Sequence, residues 1–178
     1  MKITNHHNIN KVFEELIKSD DYDMGDVDIS VTGLIDSPKI RMLRGVHEND
    51  LVAELNSKIP AMLGTIIHEK LSSVPTPYPS VPEARLILEV DGWKISGQPD
   101  LVSLINDKVI LSDYKYTGEY SVRVGKIEWE RQLNVYAYLI KHGVRIDTGD
   151  PLLLDGKPIE KVIKLIITLF IAGNLVHL

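Results

Sequence analysis

Apolar residues change their spacing along this chain. From Pro60 to Ser72, the residues Leu63, Ile66, Ile67 and Leu71 recur every three or four positions, the spacing of one helical face. Leu51–Ile59 carries a shorter version of that pattern and is also predicted helical. Upstream, Val12, Phe13, Leu16 and Ile17 form a short amphipathic stretch. Ser30-Val31-Thr32 offers a helix cap, followed by Gly33 and Pro38, which interrupt the pattern. Ser73–Pro82 holds four prolines in ten residues and is predicted to be a loop.

Beyond Pro82 the spacing becomes that of strands. Ala84–Val90 alternates and ends at Asp91-Gly92, a hairpin turn signal. Trp93–Ser96 begins the return strand, which resumes through Leu101–Ile105. Asn106-Asp107 marks a second turn before a third strand, Lys108–Tyr116. Lys126–His142 returns to helical spacing, and Gly143 stands where a helix commonly stops. Asp147–Pro158 is turn-rich, and Lys161–Ile171 is a last strand rich in Ile and Leu. Helix, three meandering strands, helix, strand: this order predicts an α/β fold with a mixed central β-sheet flanked by helices.

Composition sets the scale. With 178 residues and 44% hydrophobic content, the chain can bury one core. Residues 1–29, which include the acidic run Asp20–Asp28, are expected to form an N-terminal arm, and residues 30–178 the folded domain. There is no cysteine, so thiolate metal sites, disulfides and a cysteine nucleophile are excluded. The N-terminal residues have no apolar core of a secretory leader, which fits a cytoplasmic location. Val162–Val176 is apolar but interrupted by Lys164 and Asn174, and it is shorter than the ~20 residues needed to cross a bilayer, so no membrane association is expected. The net charge of −5 argues against a protein that merely coats nucleic acid, but not against a nuclease, whose site is acidic before metal arrives. Two groups of basic residues stand out locally: Lys39, Arg41 and Arg44, then Arg123, Lys126 and Arg131.

The chemistry concentrates around the strands. Asp113 and Lys115 are two apart on one strand, so both share a face with Val109 and Leu111. Charges buried there would need pairing or a metal, whereas a strand end open to solvent would need neither. Asp100 ends Gly97-Gln98-Pro99-Asp100, where Gly and Pro suggest a kink that re-aims a side chain. Carboxylates on neighbouring strands can share a hard cation such as Mg²⁺. His68 lies four residues after Gly64 on the predicted helix, and a nitrogen ligand would favour Mn²⁺ more than oxygen alone does. Gln132 and Tyr136 share a face of the later helix and could orient a phosphate, a base or the lysine.

Taken in order, these motifs resemble the PD-(D/E)XK nuclease superfamily, and within it the RecB-like and phage-type exonucleases. Gly64-Thr65-Ile66-Ile67-His68, Gly97-Gln98-Pro99-Asp100, Asp113-Tyr114-Lys115 and Gln132-Leu133-Asn134-Val135-Tyr136 look like four successive motifs of that group, within a resemblance running from about Ser30 to Phe170. The resemblance implies a restriction-endonuclease-like core and hydrolysis of DNA phosphodiesters with Mg²⁺ or Mn²⁺. It implies Asp100 and Asp113 as metal ligands, helped by His68 and the Tyr114 carbonyl. Lys115 would help position the attacking water and stabilise the transition state, and Gln132, Tyr136 and Glu83 would support the site or touch DNA. The substrate would be a single- or double-stranded DNA end in recombination, repair or phage DNA processing. A homo-oligomer and a recombination-protein partner are both compatible with it. The second carboxylate is Asp where many relatives carry Glu, and the four cluster-binding cysteines of some relatives are absent, which points to the branch without an iron–sulfur cluster. A restriction-type endonuclease, or a non-catalytic DNA-binding or scaffold subunit of the same fold, stands as the alternative.

Overall fold

The computed structural model describes residues 2–19, 26–171 and 174–177. Most of the acidic run, residues 20–25, therefore lies outside the described residues. Six helices and thirteen strands follow in chain order among the described residues. The N-terminal part holds β1 (Lys2–Thr4), α1 (Lys11–Lys18), β2 (Ile29–Ser30), α2 (Val31–Ile35), α3 (Pro38–Val46), β3 (Val52–Glu54) and α4 (Leu55–Ser72). The middle holds β4 (Ser80–Pro82), β5 (Leu86–Val90), β6 (Trp93–Gly97), β7 (Leu101–Ile105), β8 (Lys108–Tyr116), α5 (Glu119–Val124) and α6 (Ile127–His142). The C-terminal part holds β9 (Val144–Arg145), β10 (Leu153–Leu154), β11 (Lys157–Pro158), β12 (Lys164–Ile171) and β13 (Asn174–His177).

The architecture is the expected mixed α/β, but the strands divide between two main sheets. One runs β13-β12-β8-β7-β4, the other β2-β6-β5-β9. Each is mixed: β12 lies parallel to β8, and β2 parallel to β6, while their other pairs are antiparallel. The return strand predicted from Trp93 through Ile105 is thus two strands in two sheets. Its break falls at Gly97-Gln98-Pro99-Asp100. Pro99 has no N–H to donate to a ladder, so pairing cannot continue through it.

Gly97 makes the same corner possible by close packing. A Cβ there would come within 2.7 Å of Val31 Cγ2 and 2.8 Å of both Leu139 Cδ1 and Tyr136 Cε1. Three elements meet at that backbone. Gly97→Ala should therefore cost about 1–3 kcal/mol by overpacking. For a chain of this size that lowers Tm by about 2–4 °C per kcal/mol, readable in a thermal melt. An unchanged Tm would show that the corner can yield.

The turns follow their sequence signals. Asp91 and Gly92 have φ of 50° and 80°, and Asn106 and Asp107 have φ of 51° and 59°, as two-residue hairpin loops of the mirror-image type require. The first hairpin sets Val90 opposite Trp93, the second Ile105 opposite Lys108. Asp155-Gly156 repeats the device inside the predicted loop 147–158, closing the small β10–β11 hairpin.

Three helical expectations are revised. Leu51–Ile59 is not a separate helix: Val52–Glu54 form β3, parallel to β1, and α4 runs from Leu55 straight through Pro60. Pro60 removes the amide that would bond to the Asn56 carbonyl, and burial of Leu55 and Met62 on either side holds the helix together. Gly143 ends α6 with φ −89°, not in a left-handed conformation. Its reason is contact, since a Cβ would lie 2.8 Å from the carbonyl oxygens of Ile87 and Leu139. Gly64 carries no such constraint: a Cβ there would meet Tyr116 Cβ at an ordinary 3.9 Å. Several short strands were not foreseen, β1, β2 and β9 among them. β4 forms within the proline-rich stretch and pairs with β7, and β13 folds back on β12. Ser30 caps α2 as expected, accepting from the Gly33 amide at 3.1 Å.

The main core lies where α6, α2 and the two sheets meet. Val31, Leu86, Val102, Leu111, Leu139 and Leu152 are essentially sealed from solvent there. The N-terminal elements attach elsewhere: β1 pairs with β3, and α1 packs on α4. No helix among the described residues is long and apolar enough to cross a membrane.

Candidate active site

β8 carries two of the charges. Asp113 follows the buried Leu111 on the same strand face and is only 1% exposed. Lys115, one step further on that face, reaches back to it. Its Nζ donates to Asp113 Oδ1 at 3.1 Å and lies 2.9 Å from Oδ2. Oδ2 is sealed from solvent and accepts no hydrogen bond among the described residues. The predicted face alternation therefore holds, and the strand end is buried rather than solvated. Burial pushes the Asp113 carboxyl up to about 6; Lys115 pulls it down, and the like charge of Asp100 pushes it further up.

The corner between the sheets brings in Asp100. One step beyond the Leu101–Ser112 pair of the β7–β8 ladder, it falls opposite Asp113. Asp100 Oδ2 accepts from the Tyr114 amide. His68 arrives from α4: its Nδ1 is 3.2 Å from Asp100 Oδ1, and its Nε2 is 2.7 Å from the Tyr114 carbonyl oxygen. Both contacts are hydrogen bonds only if the imidazole carries two protons. The bond to Asp100 raises the His68 pKa above its ordinary value; burial opposes this, the Tyr114 carbonyl supports it and Lys115 opposes it.

Helix α6 contributes Gln132 and Tyr136, both buried, with Gln132 Nε2 donating to the Tyr136 hydroxyl at 3.0 Å. Glu83 has a positive φ of 44°, and its Oε2 accepts from Gln98 Nε2 at 3.3 Å. An open cleft of about 850 Å³ has His68, Asp100, Tyr114, Lys115, Glu83 and Tyr136 on its walls. Gln132 opens instead onto a neighbouring cleft that also reaches Lys115. Gln98 and Thr32 line the main cleft as well and were not singled out in the sequence. Gln98 could have been, since it sits inside the Gly-x-x-Asp stretch. Thr32 has no signal of its own beyond its helix cap.

Among the described residues, no three His, Asp or Glu side chains are arranged as they stand to enclose a cation. His68 is engaged by Asp100 and the Tyr114 carbonyl instead. The donor chemistry nevertheless fits a hard divalent ion: two carboxylates, one of them with a buried oxygen that accepts no hydrogen bond, beside a backbone carbonyl and an imidazole.

An α/β fold that sets a buried Asp-x-Lys pair beside a second aspartate at a strand corner defines a candidate metal-assisted hydrolase site. The family model of the PD-(D/E)XK nuclease superfamily matches residues 30–162. The chain belongs to that superfamily, whose members are nucleases and generally use divalent metal ions. No curated protein matches the chain. Among solved structures it is similar to the crystal structure of SSO0001, with a TM-score of 0.64 and 19% identity over 95% of this chain and 77% of that one. At that identity the likeness bears on the fold alone.

Proposed function

We propose that this chain is a Mg²⁺- or Mn²⁺-dependent deoxyribonuclease, an exonuclease of the RecB-like, phage-type branch without an iron–sulfur cluster, acting on DNA ends in recombination, repair or phage DNA processing. Its nuclease unit is residues 30–178, and its setting is the cytoplasm. The observation that carries this reading is the state of Asp113: buried, with one oxygen accepting no hydrogen bond, gripped by Lys115 and facing Asp100. Lys115 alone does not offset the burial and the like charge of Asp100, so a further cation would be favoured there.

Asp100, Asp113, His68 and the Tyr114 carbonyl would hold the ion, which when bound polarises a phosphate and lowers the pKa of a coordinated water. The residues themselves do the rest. Lys115 places positive charge at the floor of the cleft, where charge gathers on the phosphorane-like transition state. Tyr136 lines this cleft, and its partner Gln132 fixes its hydroxyl while facing the neighbouring one. Glu83, tied to Gln98, adds a further carboxylate to the cleft lining. Lys115 serves electrostatics rather than proton abstraction, because Asp113 already accepts from its Nζ.

The test uses DNA labelled at the 5′ or 3′ end, single- or double-stranded, with Mg²⁺, Mn²⁺ or EDTA. Wild type should degrade it with metal, and an Asp113→Ala/Lys115→Ala variant should not. Equal rates in every metal would sink the reading. Binding without cleavage would assign a scaffold role, and nicking of closed circles an endonuclease.

Metal binding should also depend on pH. A ligand imidazole must give up its proton, whereas His68 as described is stabilised with two. Mn²⁺ affinity should therefore rise with pH above the ordinary His value of 6.5, with proton release visible by calorimetry in buffers of differing ionisation enthalpy. His68→Gln should reduce that release to the share contributed by Asp113, whose carboxyl is itself pushed up to about 6. Saturating Mn²⁺ should raise Tm, by about 2.7 kcal/mol of added stability at 100 times Kd.

A further inference from the structure

Three openings in the surface join end to end. The active-site cleft shares Thr32 and Lys115 with a smaller cleft of about 590 Å³, which also holds Lys126, Trp129 and Gln132. That cleft in turn shares Thr32, Ile35 and Glu128 with a third of about 880 Å³, bordered by Arg131 and Pro38. The path thus runs from His68, past Lys115, along the exposed edge of α6 between it and α2.

The basic side chains near this path divide into engaged and unengaged ones, and Asp36, which lines the outer opening, is taken up by Arg44. Arg41 donates to the Gly33 carbonyl at 2.7 Å, Arg44 pairs with Asp36 at 2.6 Å, and Arg123 lies 4.0 Å from Glu119. Lys126 and Arg131 have no ion pair among the described residues. Lys126 Nζ stands 5.5 Å from the centroid of the Trp129 ring, whose own exposure is 9%. That contact holds the ammonium over the opening without neutralising it. One carboxylate, Glu128, lines the middle opening against two lysines.

We propose that this path is the track of a single nucleic-acid strand leading to the reacting phosphate, with Lys126 and then Arg131 each taking a backbone phosphate beyond Lys115. This rests on the nuclease reading above, and it adds which surface guides the strand and in which direction it leaves the site. Phosphate contacts of this kind fix position and register and carry no sequence information.

The experiment measures binding apart from cleavage. Fluorescein-labelled single-stranded DNA of roughly 12 nucleotides is titrated by anisotropy with Ca²⁺ present, over a range of salt. The proteins are wild type, Lys126→Ala/Arg131→Ala, Lys126→Arg, and Lys141→Ala as a control that removes one positive charge away from the path, on the last turn of α6. The double variant should bind about tenfold more weakly, and its salt slope should fall by about 1.4 for two lost phosphate contacts on a single strand. Lys126→Arg should bind as wild type, and Lys141→Ala should not differ. All three altered positions are exposed, and thermal melts confirm that each variant folds. If wild type cleaves DNA but the double variant binds like Lys141→Ala, the track is wrong and the nuclease reading stands. If wild type binds with the expected loss in the double variant yet cleaves nothing, the track stands and the nuclease reading falls. No binding by wild type overturns the track.

Discussion

Asp113→Asn should abolish cleavage and, in EDTA at pH 7, melt at a higher temperature than the parent. Burial pushes the Asp113 carboxyl up to about 6 in the folded chain, against 3.8 for an ordinary aspartate. Between those values the folded state holds a proton that the unfolded state has lost, so stability falls as pH rises through the window. Above it the full penalty applies: a little over two pKa units, at most about 3 kcal/mol. Asparagine is the neutral isostere and avoids that penalty. The expected gain of about 1–3 kcal/mol corresponds to a Tm rise of several degrees. It should shrink to nothing as pH falls below the ordinary aspartate value, where Asp113 is protonated in both states. Parallel melts of the two proteins from pH 4 to 8 give the comparison. A variant less stable than the parent at neutral pH would mean that Lys115 already compensates the buried charge.

Lys115→Ala should cost catalysis about 10²–10³-fold, the range measured when one preorganised charge-stabilising donor is removed from a hydrolytic site. The loss should appear in kcat more than in KM, because the ammonium acts where charge develops. Truncation also strips Asp113 of its only hydrogen-bond donor among the described residues. The metal-free variant should therefore be less stable at pH 7, the opposite of Asp113→Asn. Single-turnover rates on an end-labelled duplex, set beside the melts, separate the two effects. A Lys115→Ala enzyme with an unchanged kcat would remove the lysine from the reaction.

These two residues also show how far the sequence alone could go. Their two-residue spacing on a β-rich segment was enough to put them on one face, and the nearby hairpin signal at Asn106-Asp107 was enough to bring Asp100 alongside. Both are local rules. What local rules could not supply was the division into two sheets, because Trp93–Ile105 alternates acceptably on either side of Pro99. Pro99 breaks the pairing locally, but it is the packing of Val31, Tyr136 and Leu139 against Gly97 that sends the two parts to different sheets. The start of α4 was misread for a similar reason. Pro60 is a local stop signal, overridden by burial of Leu55 and Met62. The short strands β2, β4 and β13 exist through their partners and leave little pattern of their own. For the candidate site, the charged residues were legible, but Thr32, Gln98 and Trp129 line its openings through tertiary placement.

The corner at Gly97–Asp100 has one more consequence. Asp113 and Lys115 belong to a single strand, so their spacing is as rigid as β8 itself. Asp100 instead stands at the corner between two sheets, held against β8 by the Leu101–Ser112 pair and the Tyr114 amide but joined on its other side to the turn from β6. Of the proposed ion ligands, Asp113 and the Tyr114 carbonyl therefore share the support of Lys115, whereas Asp100 is carried by the corner and His68 by α4. A lesion in the other sheet, such as Leu86→Ala in β5 opposite Gly97, should loosen affinity for the proposed cation while leaving the aspartate–lysine pair in place. Metal affinity thus serves as a strain gauge for the seam.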